Sequence, residues 1–188
     1  VYQESIRDPE RFWGNLARQE LDWFEDLEKV RVWDPPHYQW FVGGKLNITY
    51  NCLDRHLKQG RRNKLAFIYT NEKGDEQKVS YGELSEQVCR FANGLKKLGI
   101  KKGDRVTVYM ALSIEQIVAI LACARIGAVH SVVYGGFSAP ALRLRIEDAK
   151  SPVVICSSWT VRKGKQVDLK AVVNEAVNDL EVVSHVVV

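Results

Sequence analysis

The 188-residue sequence predicts an α/β fold: part of a doubly wound parallel sheet with helices on both faces, preceded by an irregular extension of helix and coil. Three observations predict it. From Arg105 onward, strand-like apolar runs alternate with segments of helical period. Runs such as Arg105–Met110 and Val153–Cys156 are apolar almost throughout rather than at every second position, as in strands covered on both faces. The helical segments between them open on capping residues and close on glycine or a short polar turn.

In chain order, residues 1–63 form the extension. A helical stretch is expected from Pro9 to about Val30, followed by coil carrying Trp33, Pro35, Pro36 and Trp40. Coil of this length is unusual unless anchored, so Trp13, Trp23, Trp33 and Trp40 are expected to dock on another body. Residues 64–188 are expected to be that body, the first lobe of a larger α/β domain. Leu65–Thr70 and Gln77–Val79 read as a hairpin around the turn Asn71–Asp75. Ser80 and Glu83 make a capping-box pattern for a helix over residues 81–98, which Gly99 ends. Strand Arg105–Met110 leads to a helix at Ile114–Ile126, capped by Ser113 and stopped by Gly127. Strand Ala128–Val133 then precedes a helix at Ala139–Ala149, with Ser138 as cap and Pro140 in its first turn. Strand Val153–Cys156, a polar loop, helix Leu169–Asp179 and strand Val182–Val188 complete the pattern.

Composition narrows the function. The chain is 46% hydrophobic and 27% charged, the make-up of a core-forming protein, and its net charge of +4 is too small for a dedicated nucleic-acid wrapper. The longest apolar run, Ile117 to Ala124, is eight residues, so neither a membrane span nor a membrane partner is expected. Cys52, Cys89, Cys123 and Cys156 contain no CxxC pair and are expected to be buried, reduced thiols, consistent with the cytosol. No His lies at metal-ligand or triad spacing, so no metal site or catalytic residue is expected in this chain. The sequence opens on Val1 rather than Met and closes on the apolar run Val186–Val188, which reads as an N-terminal fragment of a longer protein.

Ligands of such sheets gather outside the carboxyl ends of the strands. Two loops there carry chemistry. In Tyr134-Gly-Gly-Phe-Ser138, Gly135 and Gly136 present bare backbone beside a helix N-terminus, suited to a phosphate or an adenine. The plainer reading is a sharp turn with Tyr134 and Phe137 filling core. In the loop from Ser157 to Gln166, Arg162, Lys163 and Lys165 surround Gly164, suited to a polyanion or, more simply, to a solvated turn. Neither a Walker pattern nor GxGxxG is present.

Three strings carry a family resemblance. Trp40 to Leu57 (WFVGGKLNITYNCLDRHL) resembles the N-terminal extension of acetyl-CoA synthetases. Lys102 to Met110 (KGDRVTVYM) resembles a strand entry shared across the AMP-forming, adenylate-forming ligases, and Ala122 to Ser138 (ACARIGAVHSVVYGGFS) is similar to the acetyl-CoA synthetase branch. The resemblance covers essentially the whole chain. It implies a parent enzyme that joins acetate to ATP as an acetyl-adenylate and then passes the acetyl group to CoA, releasing AMP. It also implies a CoA-nucleotide site at Tyr134, Gly135, Gly136 and Arg162, Lys163, Gly164, Lys165, with Tyr134 stacking on adenine and Arg162 pairing with the 3′-phosphate. Tyr134 and Lys165 depart from members with Phe and Arg there; stacking survives the first change, while Lys lacks a bidentate fork. The ATP phosphate loop, acyl pocket, catalytic lysine and Mg2+ site are implied to lie beyond residue 188, so the chain alone is expected to be inactive. Alternatives are a propionyl-CoA or other short-chain synthetase, or a non-catalytic CoA- or nucleotide-binding module.

Overall fold

Val106 to Met110 are all buried, and so are Val153 to Cys156, because helices cover both faces of the strands that hold them. The computed structural model describes residues 1–188, which divide into two compact units, Val1–Arg55 and His56–Val188.

In the first unit, α1 (Tyr2–Arg7) and α2 (Pro9–Glu20) meet at Asp8, whose carboxylate caps α2 by accepting the Arg11 N–H at 3.1 Å. The helix expected to reach Val30 stops at Glu20. Leu21 is extended, and the Ala17 carbonyl accepts both the Leu21 N–H at 3.2 Å and the Trp23 indole N–H at 3.0 Å. The expected coil is instead an antiparallel hairpin of β1 (Lys29–Asp34) and β2 (His37–Val42), turning at Pro35–Pro36. Internal packing orders it: Trp33 meets Tyr38 edge-on at 3.9 Å, and Trp23 packs on Phe41. Gly44 leaves the space that the Trp23 ring needs, since a Cβ there would come within 2.6 Å of it. Asn51, in a π-helical turn at Tyr50–Asp54, accepts the Asp22 N–H at 2.8 Å and donates to the Asp22 carbonyl at 3.1 Å. The short α3 (Arg55–Lys58) continues that turn.

The second unit begins with the antiparallel hairpin of β3 (Leu65–Thr70) and β4 (Glu76–Ser80). Ser80 and Glu83 form the full capping box for α4 (Tyr81–Lys97), and those hydrogen bonds to Ser80 hold the Glu83 carboxyl below its ordinary range. Next come β5 (Arg105–Met110), α5 (Ile114–Ile126), β6 (Val129–Tyr134), α6 (Ala139–Ala149) and β7 (Val153–Cys156). The expected polar loop after β7 is a further antiparallel hairpin, β8 (Trp159–Arg162) and β9 (Lys165–Asp168). The unit ends with α7 (Leu169–Val177) and β10 (His185–Val187).

The central sheet is parallel, in the order β10-β7-β5-β6. The chain steps from β5 to β6 on one side, then crosses over β5 to β7 on the other, so α5 and α6 take opposite faces. α4 packs with α5, and α6 with α7. Tyr109, Val133, Val154 and Cys156 share a core with Leu142 and Ile146 of α6 and Leu169 and Val173 of α7. The order reverses between β5 and β7, which sets a topological switch point at the carboxyl ends Met110 and Cys156.

Two of the four cysteines depart from the burial expected of them. Cys123 and Cys156 are buried free thiols, but Cys89 on α4 is only half-buried and Cys52 is exposed, because it faces outward from its turn between buried Asn51 and Leu53. No helix is long and apolar enough to cross a membrane.

Candidate functional site

The β6–α6 loop leaves the sheet at Tyr134 and passes over the end of β5. A Cβ on Gly135 would lie 3.1 Å from the Met110 carbonyl oxygen, so a bare backbone lets the loop run that close. From below, the buried Tyr109 on β5 donates its hydroxyl to the Phe137 carbonyl at 2.8 Å. Burial pushes the Tyr109 phenol above its ordinary pKa, which favours the protonated, donating form. α6 then begins at Ser138, whose side chain makes no capping bond.

Above this floor stand two aromatic rings. Tyr134 is 58% exposed and meets Phe137 edge-on at 6.1 Å. The Arg162 guanidinium lies 5.6 Å from the Tyr134 ring centroid, and that of Arg145 lies 4.4 Å from the Phe137 ring. Tyr134 and Arg162 both close onto Gly136. A Cβ there would come within 2.6 Å of the Tyr134 ring and 2.7 Å of the Arg162 guanidinium.

Arg162 arrives on the β8–β9 hairpin, where it pairs with Lys165 across a two-residue turn. Lys163 and Gly164 both have positive φ, 51° and 73°, the backbone of a type I′ turn. Cross-strand partners share one face of a hairpin, so Arg162 and Lys165 stand side by side. The tip is tied elsewhere: Glu72, in the β3–β4 turn, accepts the N–H of Lys163 at 3.2 Å and of Gly164 at 3.3 Å.

Of the seven residues expected at the site, Tyr134, Gly136 and Arg162 converge directly. Gly135 shapes the floor, Lys165 flanks Arg162, and Lys163 and Gly164 form the tip that meets Glu72. Tyr109, Arg145 and Glu72 were not expected there. Tyr109 reads as core in an apolar strand, and Glu72 as an ordinary turn residue 91 positions from its partner Lys163. The arrangement suits a flat aromatic ligand bearing a phosphate: an exposed ring to stack on and a planar cation beside it, brought together over a bare glycine. A separate apolar cavity of about 860 Å3, lined by Phe91, Leu95, Met110, Val118 and Ile155 among others, lies on the α4–α5 face.

Comparison with known proteins adds the context. A family model described as AMP-binding enzyme matches residues 53–188, and one described as acetyl-coenzyme A synthetase N-terminus matches residues 1–52. Acetyl-coenzyme A synthetase of Chlorobaculum tepidum is 45% identical over the full chain, which covers 28% of that protein. The enzyme of that name from Chromobacterium violaceum is 53% identical over 94% of the chain, covering 27% of it. Among solved structures, acetoacetyl-CoA synthetase from Streptomyces lividans superposes with a TM-score of 0.89 at 25% identity, over 98% of this chain and 28% of that one. The chain thus spans little more than a quarter of the length of the relatives it matches.

Proposed function

The chain belongs to the AMP-binding enzyme family, with an acetyl-coenzyme A synthetase N-terminus ahead of the AMP-binding region, and from that premise we propose that it forms the N-terminal part of an acetate–CoA ligase. In this reading residues 1–63 are the extension and residues 64–188 the first α/β lobe of the catalytic domain, working in the cytosol. The parent reaction has two halves. The acetate carboxylate attacks the α-phosphorus of ATP and expels pyrophosphate; the CoA thiolate then attacks the acetyl-adenylate carbonyl carbon and expels AMP.

This lobe holds the nucleotide end of CoA. Tyr134 offers its exposed ring to the adenine, Gly135 and Gly136 admit the base against bare backbone, and Arg162 pairs with the 3′-phosphate while Lys165 adds a second positive charge. Lys163 and Gly164 set the turn between those cations. The observation that carries the reading is the convergence of the Tyr134 ring and the Arg162 guanidinium on Gly136. Stacking and phosphate pairing fix the far end of CoA, so its binding energy serves to orient the distant thiol. No cluster of three His, Cys, Asp or Glu side chains that could hold a metal ion lies in this chain, and in this reading the Mg2+ implied by the family binds to the remainder of the parent enzyme.

The test is Arg162→Ala in the full-length enzyme. A rise in the KM for CoA of roughly tenfold to a hundredfold is expected, with acetate-dependent ATP–pyrophosphate exchange unaffected, since a charge-assisted hydrogen bond contributes about 1.5–3 kcal/mol. Equal loss of both activities would instead assign Arg162 a structural role. Turnover of acetate against propionate by the same enzyme tests the acyl group; a propionate preference would overturn acetate as the substrate.

A further inference from the structure

The carboxylate of Glu72 stands among the cations of the β8–β9 hairpin, where simple charge counting makes it an obstacle to a phosphate. Its geometry says otherwise. One carboxylate oxygen accepts the Lys163 N–H and the other the Gly164 N–H, at 3.2 and 3.3 Å. Those two residues are consecutive and both left-handed, a conformation that turns successive amides toward one anion. Lysine adopts it reluctantly, and a carboxylate across the two amides stabilises it.

The turn that carries Glu72 is itself braced. The Asn71 side-chain oxygen accepts the N–H groups of Lys73 at 2.9 Å and Asp75 at 3.0 Å, and its amide donates to the Asp75 carboxylate at 2.9 Å. The β3–β4 turn is therefore a preformed mount that presents Glu72 to the hairpin tip. The residues flanking the two tied amides are Arg162 and Lys165, the two cations that share one face.

We propose that Glu72 is a positioning residue for anion recognition at this hairpin: by tying the Lys163 and Gly164 amides it fixes where Arg162 and Lys165 stand for the 3′-phosphate of CoA. The inference rests on the CoA reading given above and adds what sets the aim of its cations. The same two bonds engage the carboxylate with the backbone, so its charge is directed at the turn rather than at the ligand.

The test compares the KM for CoA with that for 3′-dephospho-CoA in the full-length enzyme, with ATP–pyrophosphate exchange measured alongside as a check on folding. Wild type, Arg162→Ala, Glu72→Ala and Glu72→Gln are needed. Glu72→Ala is expected to raise the KM for CoA about fivefold, the loss of about one net hydrogen bond. It leaves the KM for dephospho-CoA and the exchange rate unchanged, so the preference for the 3′-phosphate collapses. Glu72→Gln, which keeps one acceptor oxygen, falls between. If Arg162→Ala weakens CoA but Glu72→Ala leaves its KM unchanged or lowers it, the positioning role is overturned; a lowered value would mean that the carboxylate repels the phosphate. An equal rise for CoA and dephospho-CoA overturns it as well, because the effect is then not directed at the phosphate. If Arg162→Ala itself leaves CoA binding intact, the CoA reading fails and the proposal falls with it.

Discussion

Gly136 has no room for a side chain. Its would-be Cβ meets the Tyr134 ring at 2.6 Å and the Arg162 guanidinium at 2.7 Å, and both of those groups can swing away because neither is locked in core. Gly136→Ala is therefore expected to displace the two proposed CoA contacts while costing the fold little. The KM for CoA should rise severalfold, with the melting temperature of the variant within a few degrees of wild type by circular dichroism. Cys123 carries a different kind of prediction. Burial in α5 pushes its thiol from an ordinary 9.0 up to about 11, so the folded chain holds that proton more tightly than the unfolded chain does. Stabilisation from this source is complete below the unfolded value and is lost as the pH climbs from 9.0 toward 11. Melting curves across that window should fall more steeply for wild type than for Cys123→Ala; parallel slopes would exclude the thiol as a contributor. At this scale the sequence made Tyr134, the two glycines and Arg162 legible, since an aromatic-Gly-Gly turn and a basic cluster at strand ends are local patterns. Glu72 was not legible, because its meaning depends on a partner 91 residues away.

Elements bounded by local chemistry follow the sequence closely. The helix Ile114–Ile126 lies where its signals put it: the Ser113 hydroxyl accepts the Gln116 N–H at 3.2 Å, and Gly127 is left-handed. Ser113→Ala should cost about 1 kcal/mol of stability in urea unfolding, without moving the helix. Coupling between elements is a separate matter. The hydroxyl of Tyr109 links strand β5 to the β6–α6 loop through the Phe137 carbonyl, and Tyr109→Phe leaves that carbonyl without this donor. A loss of about 1 kcal/mol is expected, together with a modest rise in the KM for CoA as the loop loosens. A loss of stability with no change for CoA would separate the strand from the site. The two hairpins, Lys29–Val42 and Trp159–Asp168, escaped the sequence reading. Their turns, Pro35–Pro36 and Lys163–Gly164, are not the Asn-Gly or Asp-Gly pairs that announce a tight hairpin, and the strands of the second are only four residues each and mostly polar.

For the molecule as a whole, the sheet order β10-β7-β5-β6 brings the carboxyl ends of β5, β6 and β7 together, and with them loops from distant parts of the sequence. The ligase reading places the ATP phosphate loop, the acyl pocket and the catalytic lysine outside residues 1–188. The 188-residue polypeptide by itself should accordingly give no acetate-dependent ATP–pyrophosphate exchange above a no-enzyme control, and measurable exchange would refute that division of labour. The sequence by itself determined the alternation of strands and helices, the caps that bound them and the α/β class, because each depends on residues within a few positions of one another. It also marked the two loops that matter, through glycines, an aromatic ring and clustered charge. Only the tertiary structure decided that these loops meet, that Tyr134 and Arg162 close onto Gly136, and that Glu72 holds the turn bearing the cations. Such contacts arise from the crossing of the chain over β5 and from the meeting of two hairpin turns. No local pattern of residues encodes a distance across that crossing.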